Sequence, residues 1–319
     1  MNKIKRLLLR LRACAPANVN SDKTMVLAAQ APIHFNREKR SIDSLAEAEL
    51  SVFSQWGEDG IIDWLVHNLP NIPKTFVEFG IEDYRESNTR LLTYLRNWSG
   101  FVIDGSKENI ESLTRQDIYW RHDIESCAAF ISRENINDLI LSSGIKGDIG
   151  LLSIDIDGND YWVWQAIQVV TPAIVICEYN AVLGDRAAIT VPYNADFQRT
   201  RAHHSNLYFG ASIRALIALG SSKGYTFVGT TSTGCNAFFV RDDLAQPIID
   251  SLSSVTAFPS SVRESRDAEG RLTFVSGVER AQIIEHLPFV DVKTDQRVTL
   301  SDISELYSVE WRNKQSIRL

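Results

Sequence analysis

The stretch that most constrains the fold is a short apolar run, Thr75 to Gly80, which ends in an acid and a glycine. An amphipathic run from Glu86 to Arg96 follows it, and a second apolar run, Gly100 to Asp104, again ends in an acid. Strand, turn, helix and strand in this order form a βαβ unit with parallel strands and a right-handed crossover. Open parallel sheets bind ligands beyond the carboxyl ends of their strands. We therefore expect a binding site where these two strands end.

The turn after Gly80 indicates the kind of ligand. Its spacing to Asp104 suits a nucleoside-bearing cofactor, because the glycine allows close approach and the acid accepts from ribose hydroxyls. The G-x-G-x-x-G fingerprint that cradles a pyrophosphate is absent, and Glu82, Asp83 and Glu86 put negative charge in its place. NAD and FAD are therefore disfavoured. A cofactor with a ribose, no phosphate and a positive charge fits better, and S-adenosylmethionine (SAM) is one, although an ordinary sheet core with a glycine turn explains the stretch equally well.

Composition restricts the class of protein and its partners. The chain has 319 residues, 44% of them hydrophobic and 23% charged, which is typical of a soluble globular protein. Its net charge of −7 argues against nucleic acid as a partner, because phosphate binding requires a basic face. The cysteines are far apart and form no C-x-x-C pair, which disfavours a zinc–thiolate site and suits a reducing cytoplasm. They are Cys14, Cys127, Cys177 and Cys235.

The first twelve residues are basic. Lys3, Lys5, Arg6, Arg10 and Arg12 surround a run of three leucines, which is too short and too interrupted for a secretory signal. Two interpretations remain open: peripheral contact with an anionic membrane at its inner face, or a tail or helix that packs on the domain. No stretch is long enough to span a bilayer.

Further strands and helices follow the βαβ unit. The pattern predicts a third strand at 118–121 that ends at His122-Asp123, a fourth at 149–154, a fifth at 172–177 and a hairpin of 225–229 with 236–240. Together these predict an α/β fold: a Rossmann-like, seven-stranded, mostly parallel sheet with a C-terminal antiparallel hairpin and helices on both faces. The expected strand order is 3-2-1-4-5-7-6, as in class I methyltransferases.

The domain organisation follows from this pattern. Residues 1–50 are expected to form an N-terminal arm and helix, with a linker or extended arm over 13–40. Residues 51–242 form the main domain, in which 181–210 is a long aperiodic loop of the kind that is usually functional. Residues 243–319 are expected to form a helical extension.

Several short motifs resemble the FkbM-like branch of SAM-dependent methyltransferases, over roughly residues 54 to 242. They are Ser54-Gln-Trp-Gly-Glu-Asp, Phe76-Val-Glu-Phe-Gly, Ser87-Asn-Thr, Trp98-Ser-Gly-Phe-Val-Ile-Asp and Ser153-Ile-Asp-Ile-Asp-Gly. Members of that branch commonly O-methylate sugars of surface polysaccharides or natural products. The resemblance implies a SAM site in which Glu78 and Gly80 match the first motif, Asp104 matches the ribose-binding acid and Asp123 lies near the adenine. Other residues implied in cofactor binding are Gln55, Glu58 and Asn88.

Polar residues also end the fourth and fifth predicted strands. Asp155 and Asp157 follow one strand, and Glu178 and Asn180 follow the other, so the four side chains are expected to converge at the carboxyl edge of the sheet. They have two alternative uses. They either hold a divalent cation such as Mg²⁺ that orients and acidifies a sugar diol, or supply a carboxylate as general base. The same base role is open to His203 and His204.

These observations favour a SAM-dependent O-methyltransferase that acts on a sugar or glycan-linked hydroxyl, with loop 181–210 contacting the acceptor. The alternative is a non-catalytic nucleotide- or glycan-binding member of the fold within a polysaccharide-assembly complex. An NAD-dependent sugar oxidoreductase is third. Tyr161, Trp162 and Trp164 either stack on a sugar or, at helical spacing, belong to the core. A homo-oligomer is compatible with the sequence, which contains no feature that decides it.

Overall fold

The computed structural model describes residues 19 to 316, which contain ten β-strands. They are β1 (Thr75–Phe79), β2 (Ser99–Asp104), β3 (Ile124–Ala128), β4 (Gly147–Ile154), β5 (Val170–Glu178), β6 (Ile189–Thr190), β7 (Tyr225–Thr230), β8 (Asn236–Arg241), β9 (Phe289–Asp291) and β10 (Gln296–Val298).

The same residues form twelve α-helices. They are α1 (Val19–Glu38), α2 (Glu58–Asn68), α3 (Arg90–Arg96), α4 (Lys107–Thr114), α5 (Asp117–Arg121), α6 (Ile136–Ser142), α7 (Asp160–Ala166), α8 (Arg199–Ala202), α9 (Ile213–Ser222), α10 (Asp242–Asp250), α11 (Glu279–Ile283) and α12 (Val309–Ser316). No helix in this part of the chain is long and apolar enough to cross a membrane.

The main sheet has seven strands in the order β3-β2-β1-β4-β5-β8-β7. The first five strands of that order pair in parallel, whereas β8 pairs antiparallel with both β5 and β7. Strand β6 lies outside this sheet, so β7 and β8 are the sixth and seventh strands of the sheet in chain order. The observed order is therefore the predicted 3-2-1-4-5-7-6. The predicted fold class is confirmed.

Both faces of the sheet are buried. In β1, Val77 and Phe79 belong to one hydrophobic cluster and Phe76 belongs to another. In β4, Leu152 belongs to the first of these clusters and Leu151 to the second. Helices α6, α7 and α9 supply the first cluster, and α2, α3, α4 and α10 supply the second. Burial on both faces explains why the strands read as continuous apolar runs instead of alternating ones.

The third strand was predicted in the wrong place. Residues 118–121 lie in helix α5, and β3 begins three residues later, at Ile124. A short apolar run does not distinguish a strand from one helical turn, and of the residues of α5 only Ile118 is buried. Asp123 therefore precedes β3 instead of following it.

The N-terminal region is also more regular than predicted. Helix α1 occupies most of the segment that was expected to be a linker or arm, and its Ala29 and Ile33 pack in a small apolar cluster with Phe53 and Leu91. The helix predicted at 41–50 is only a short 3₁₀ turn, Leu45–Ala48. The predicted membrane contact of residues 1–12 lies outside the described residues.

A second, three-stranded sheet joins the long loop to the C-terminal part of the chain. Its order is β10-β9-β6, all antiparallel, so the 181–210 loop contributes one short strand and the C-terminal segment contributes two. The C-terminal segment is therefore not purely helical, since β9 and β10 form over 289–298. The proposed domain boundaries themselves stay a prediction.

Candidate active site

The carboxyl ends of β1, β2, β4 and β5 open into a cavity of about 490 Å³. This volume is in the range of cavities that hold small-molecule ligands and cofactors. Among the described residues that line it, nine are acidic and Arg199 is the single basic one. The acids are Glu58, Glu78, Glu82, Glu86, Asp104, Asp155, Asp157, Glu178 and Glu264.

Glu78, on β1, is hydrogen-bonded throughout by the loop that precedes α3. Its Oε1 accepts from the Asn88 N–H (2.8 Å), and its Oε2 accepts from the Ser87 hydroxyl (2.7 Å), the Thr89 N–H (3.2 Å) and the Thr89 hydroxyl. Burial raises the pKa of Glu78, and the bonds from Thr89 and Ser87 offset part of that effect. The carboxylate thus fixes the loop that carries Asn88, whose Nδ2 donates to Ser153 (3.0 Å).

Asp104, at the end of β2, is held in a similar way. Its Oδ1 accepts from the Ser106 N–H (2.8 Å) and Asn109 Nδ2 (3.0 Å), and its Oδ2 accepts from the Glu82 N–H (2.9 Å). A carboxylate oxygen accepts two or more hydrogen bonds, so Oδ2, which accepts one, retains capacity for a ligand hydroxyl. The side chain is 8% exposed and lines the cavity, as expected for a ribose-binding acid.

Gly80 is required by the packing of two strand ends. Its φ of +69° is left-handed, and a Cβ at this position would lie 1.6 Å from the carbonyl oxygen of Asp155. The sequence predicted close approach to a ligand, whereas the nearest obstacle is the neighbouring strand. A side chain here would push the ends of β1 and β4 apart and open the floor of the cavity.

The start of α2 forms another wall of the cavity, as predicted for Gln55 and Glu58. Glu58 is fully buried; its Oε2 accepts from the Trp56 N–H (2.8 Å) and its Oε1 from Asn236 Nδ2 (2.8 Å). Asn236 begins β8, so this acid ties two distant segments together. Gln55 is exposed at the cavity surface.

Asp155 and Glu178, at the ends of β4 and β5, differ from the acids of β1 and β2. Each offers a carboxylate oxygen that lies within 4.8 Å of the other and of one from Asp157. Oε2 of Glu178 is buried without a hydrogen-bond partner among the described residues. Burial and then the charge of neighbouring carboxylates raise the pKa values of Asp155 and Glu178 well above their usual range. The strand ends thus concentrate carboxylates that the protein itself leaves partly unsatisfied.

Arg199 provides the positive charge beside this cluster. Its Nη1 donates to Asp157 Oδ1 (2.6 Å), its Nε donates to the carbonyl of Asn206 (2.7 Å), and its guanidinium lies 3.8 Å from the centre of the Phe209 ring. The loop 181–210 therefore reaches the cavity through this arginine. Sequence reasoning placed Arg199 in the loop but not in the site, because no local pattern connects it to Asp157, 42 residues earlier.

Asn180 lies near the cluster but is occupied by the fold. Its Oδ1 accepts from the Val182 N–H (3.0 Å), and its Nδ2 donates to the carbonyls of Leu207 and Phe209 (both 2.9 Å). The predicted role as a metal ligand is therefore not supported by its contacts. Asn180 instead fixes the end of β5 to the segment that follows Arg199.

Three other predicted residues are not brought to the cavity. Asp123 precedes β3, and its carbonyl pairs with Gly100 at the start of β2, so it lies at the amino edge of the sheet, opposite the site. His203 and His204 line neither this cavity nor the smaller one beside it. His203 Nδ1 is 2.8 Å from the Ser205 hydroxyl, and burial lowers its pKa. The predicted position of Asp123 at the end of the third strand is therefore wrong, whereas the base role of the two histidines stays a prediction to which this cavity adds no contact.

A smaller cavity of about 120 Å³ adjoins the first and shares Asp155, Glu178 and Arg199 with it. The C-terminal segment lines it through Val262, Arg280 and Glu264, the last of which also lines the larger cavity, and the loop before α2 contributes Trp56. Sequence reasoning assigned none of these residues to the site, because Val262, Glu264 and Arg280 lie more than 80 residues after Glu178 and no local pattern connects them to it. The predicted aromatic residues are elsewhere: Tyr161 and Trp164 are buried in the core, and Trp162 packs against it.

No protein-family model matches the chain, and no curated protein matches it. Among solved structures, the N-terminal domain of EvdMO1 with SAH bound is similar over 58% of this chain and 80% of its own, at 11% identity and a TM-score of 0.39. A SAM-dependent methyltransferase from Clostridium acetobutylicum ATCC 824 is similar over 62% of this chain and 95% of its own, at 11% identity and a TM-score of 0.37. TehB from Haemophilus influenzae is similar over 56% of this chain and 61% of its own, at 11% identity and a TM-score of 0.34.

Proposed function

We propose that this protein is a SAM-dependent O-methyltransferase that acts on a sugar or glycan-linked hydroxyl. The observation that carries the proposal is the charge of the cavity, where nine acids face one arginine at the carboxyl edge of a parallel sheet. Such a cavity attracts a cationic ligand and repels a pyrophosphate. SAM carries a sulfonium and an ammonium group, and it has a ribose but no phosphate.

The cofactor half of the cavity is formed by the acids of β1 and β2. Asp104 Oδ2 is available to a ribose hydroxyl, while Glu78 positions Asn88 at the cavity wall. Beyond β3, Phe130 lines the cavity and is 46% exposed, which leaves its ring free to stack on a purine. When bound, SAM supplies an electrophilic methyl group.

Glu178 is the general base in this proposal. An alcohol is a weak nucleophile until its proton is removed, and a carboxylate without other hydrogen bonds is suited to accept that proton. Oε2 of Glu178 is such an oxygen, and the raised pKa of this carboxyl strengthens its basicity. Asp155 lies beside it and holds the acceptor hydroxyl. The base and the neighbouring strand end together align the hydroxyl for in-line displacement.

A divalent cation is the alternative use of the same carboxylates. Asp155, Asp157 and Glu178 have the oxygen chemistry and the proximity that Mg²⁺ prefers. Asp157, however, already binds Arg199 at 2.6 Å, so a positive charge from the protein occupies the edge of the cluster. A metal ion would have to displace that guanidinium or bind against its repulsion. This contact favours general-base chemistry without a metal.

The smaller cavity is the proposed acceptor site. It shares Asp155 and Glu178 with the cofactor cavity, which places any ligand there next to the base. Carboxylates bind sugar hydroxyls, and Trp56, which is partly exposed and lines this cavity, offers an apolar surface for the C–H face of a pyranose. The resemblance of the sequence motifs to sugar O-methyltransferases points to the same class of acceptor.

The competing proposal is a non-catalytic protein that binds a nucleotide or glycan. A purely structural acid at a buried strand end is expected to carry hydrogen-bond donors, as Glu78 does, because an unpartnered buried oxygen is costly. Oε2 of Glu178 lacks them. This difference favours a reactive site.

Calorimetric titration of the purified chain with SAM and with NAD tests the proposal. We expect SAM to bind and NAD not to bind, with no change when EDTA is added. Tritium transfer from labelled SAM to a panel of mono- and oligosaccharides then identifies the acceptor. Binding of neither ligand would contradict the proposal and favour the non-catalytic alternative, and binding of NAD alone would favour an oxidoreductase.

A further inference from the structure

Arg280, in the short helix α11, is a buried cation that lines the smaller cavity. Its side chain is 3% exposed, and among the described residues no carboxylate forms an ion pair with it. Burial lowers the pKa of Arg280, and the neighbouring groups that offset this effect are Tyr307 and Cys235, which are uncharged at neutral pH. A buried charge is costly unless an opposite charge compensates it.

The contacts of Arg280 within the protein are all to neutral oxygens. Nη1 donates to the carbonyl of Val262 (2.6 Å) and to the hydroxyl of Ser260 (3.4 Å). Nη2 donates to the carbonyl of Ser260 (3.0 Å), and Nε donates to the carbonyl of Gly277 (3.3 Å). A guanidinium has five N–H donors, so one N–H of Nη2 has no acceptor in the described part of the chain. These contacts hold the guanidinium in place but leave its charge uncompensated.

Arg90 shows that the fold does compensate a buried arginine elsewhere. Its side chain is 2% exposed, as little as that of Arg280, but its Nη2 lies 2.8 Å from a carboxylate oxygen of Asp22. Arg90 lines neither of the two cavities at the carboxyl edge of the sheet. The buried arginine outside the site therefore has a counter-charge from the protein, and the one that lines the acceptor site has none.

The acids of the smaller cavity have other cationic neighbours. The charge of Arg199 acts on both Asp155 and Glu178, and Glu264 lies 3.6 Å from Arg266. Three acids and two arginines are among the described residues that line this cavity, so it is much less acidic than the larger one. One part of its wall carries the carboxylates of the strand ends, and another part carries an arginine without a counter-charge.

We propose, on the basis of the function proposed above, that the acceptor carries an oxyanion that pairs with Arg280 while its reacting hydroxyl faces Glu178. The oxyanion is a carboxylate or a phosphate, so the acceptor class is acidic sugars: uronic acids or sugar phosphates. An oxygen of that group accepts the free N–H of Nη2 and compensates the buried charge, and a charge-assisted hydrogen bond of this kind is stronger than one to a neutral hydroxyl. Neutral sugars lack this contact and are expected to bind more weakly.

Ligand-observed NMR titration of the full chain, with and without SAM, tests the proposal. The probes are methyl glycosides in the gluco, galacto and manno series, each as the neutral sugar, the uronic acid and the phosphate ester at the exocyclic carbon. The three members of a series share their ring hydroxyls and differ in charge. In at least one series, an acidic member is expected to bind at least about tenfold more tightly than the neutral one. The acidic member that binds more tightly identifies the oxyanion as carboxylate or phosphate.

Variants of Arg280 separate its charge from its structural contacts. Arg280→Met is expected to reduce the preference for the acidic sugar to less than about twofold, whereas Arg280→Lys keeps a positive charge and most of the preference. The matched control is Arg263→Met in the same segment. Arg263 is exposed, donates to the carbonyl of Phe274 (3.1 and 3.0 Å) and lines neither cavity, so its variant is expected to keep the preference of the wild type. Thermal unfolding identifies variants that do not fold, and the wild-type preference tests the proposal without them.

Two outcomes overturn the proposal. In the first, the wild type binds no acidic sugar more tightly than its neutral counterpart in any series. In the second, folded Arg280→Met loses affinity for acidic and neutral sugars alike, which is the result of a merely structural role. Preference for acidic sugars without SAM binding would contradict the methyltransferase function alone, and SAM binding without that preference would contradict the oxyanion alone.

Discussion

Two pairs of acids, Glu78 with Asp104 and Asp155 with Glu178, lie at strand ends of the same sheet. They differ in the hydrogen bonds that they accept from the protein. Glu78 accepts four hydrogen bonds and Asp104 accepts three, all from the protein itself. Asp155 and Glu178 lie within 4.8 Å of one another, and Oε2 of Glu178 is buried without a donor. The fold gives both members of the first pair several donors, which organise the surrounding loops, and only Asp104 Oδ2 keeps capacity for one more hydrogen bond. The second pair is left for something that the cavity receives.

The difference assigns separate roles to the two halves of the cavity. Satisfied carboxylates give a rigid wall, which suits recognition of a cofactor that must bind in one orientation. A buried carboxylate oxygen without a donor, such as Oε2 of Glu178, is costly in the folded protein, and such cost is commonly found where the chemistry takes place. The following predictions test this division, from the largest expected effect to the smallest.

The largest effect is expected from Glu178→Gln on methyl transfer. The variant keeps the shape of the side chain but cannot accept the acceptor proton, so the transfer rate should fall about a thousandfold. SAM affinity should change little, because the cofactor wall is intact. Transfer of tritium to the acceptor measures the first quantity and calorimetry the second. Glu86→Gln, at an exposed acid that lines the large cavity but not the proposed acceptor site, is the control; equal losses in both variants would contradict a specific role for Glu178.

Asp104→Ala is expected to weaken SAM binding by about a hundredfold, because it removes both a charged partner for the ribose and the anchor of the Glu82 turn. Calorimetry measures the dissociation constant. Asp123→Ala is the matched control, since Asp123 is exposed at the amino edge of the sheet and should not affect SAM binding. A comparable loss of SAM affinity in Asp123→Ala would contradict the position of Asp123 at the amino edge of the sheet.

Substitution of the two glutamates is expected to change stability in opposite directions. Glu78→Gln should lower the free energy of unfolding by about 3 kcal/mol, because an amide N–H₂ would face donors that now have no acceptor. Glu178→Gln should raise it by about 1 kcal/mol, since one of two crowded, partly buried carboxyl groups is replaced by a neutral amide. Urea unfolding at neutral pH measures both values. A loss of stability in Glu178→Gln similar to that of Glu78→Gln would remove the distinction between the pairs.

The smallest effect is expected from removal of divalent cations. If Arg199 supplies the positive charge beside Asp157, EDTA should change the transfer rate by less than about twofold. Rate measurements with EDTA and with added Mg²⁺ decide the matter. Activity that EDTA abolishes and Mg²⁺ restores would show that the second pair of acids holds a metal ion.

The sequence predicted the sheet better than the site. Strand order and the acids at the ends of β1, β2, β4 and β5 follow from local apolar runs and their terminal residues, and all of these proved correctly placed. The third strand failed because residues 118–121 form one helical turn, whose apolar content resembles that of a short strand. That error displaced Asp123 to the opposite edge of the sheet.

The sequence by itself determined the features that depend on residues close together in the chain. These are which segments become strands, where each strand ends and which polar residue ends it. Only the tertiary structure decided which of those polar residues remain available. Glu78 is satisfied by residues about ten positions away, whereas Asp157 meets Arg199 from 42 positions away, and Asn180 is occupied by the carbonyls of residues 207 and 209. Whether a buried side chain finds hydrogen-bond partners depends on every element that packs against it. The sequence of an aperiodic loop contains no repeating pattern from which its position in the fold could be predicted.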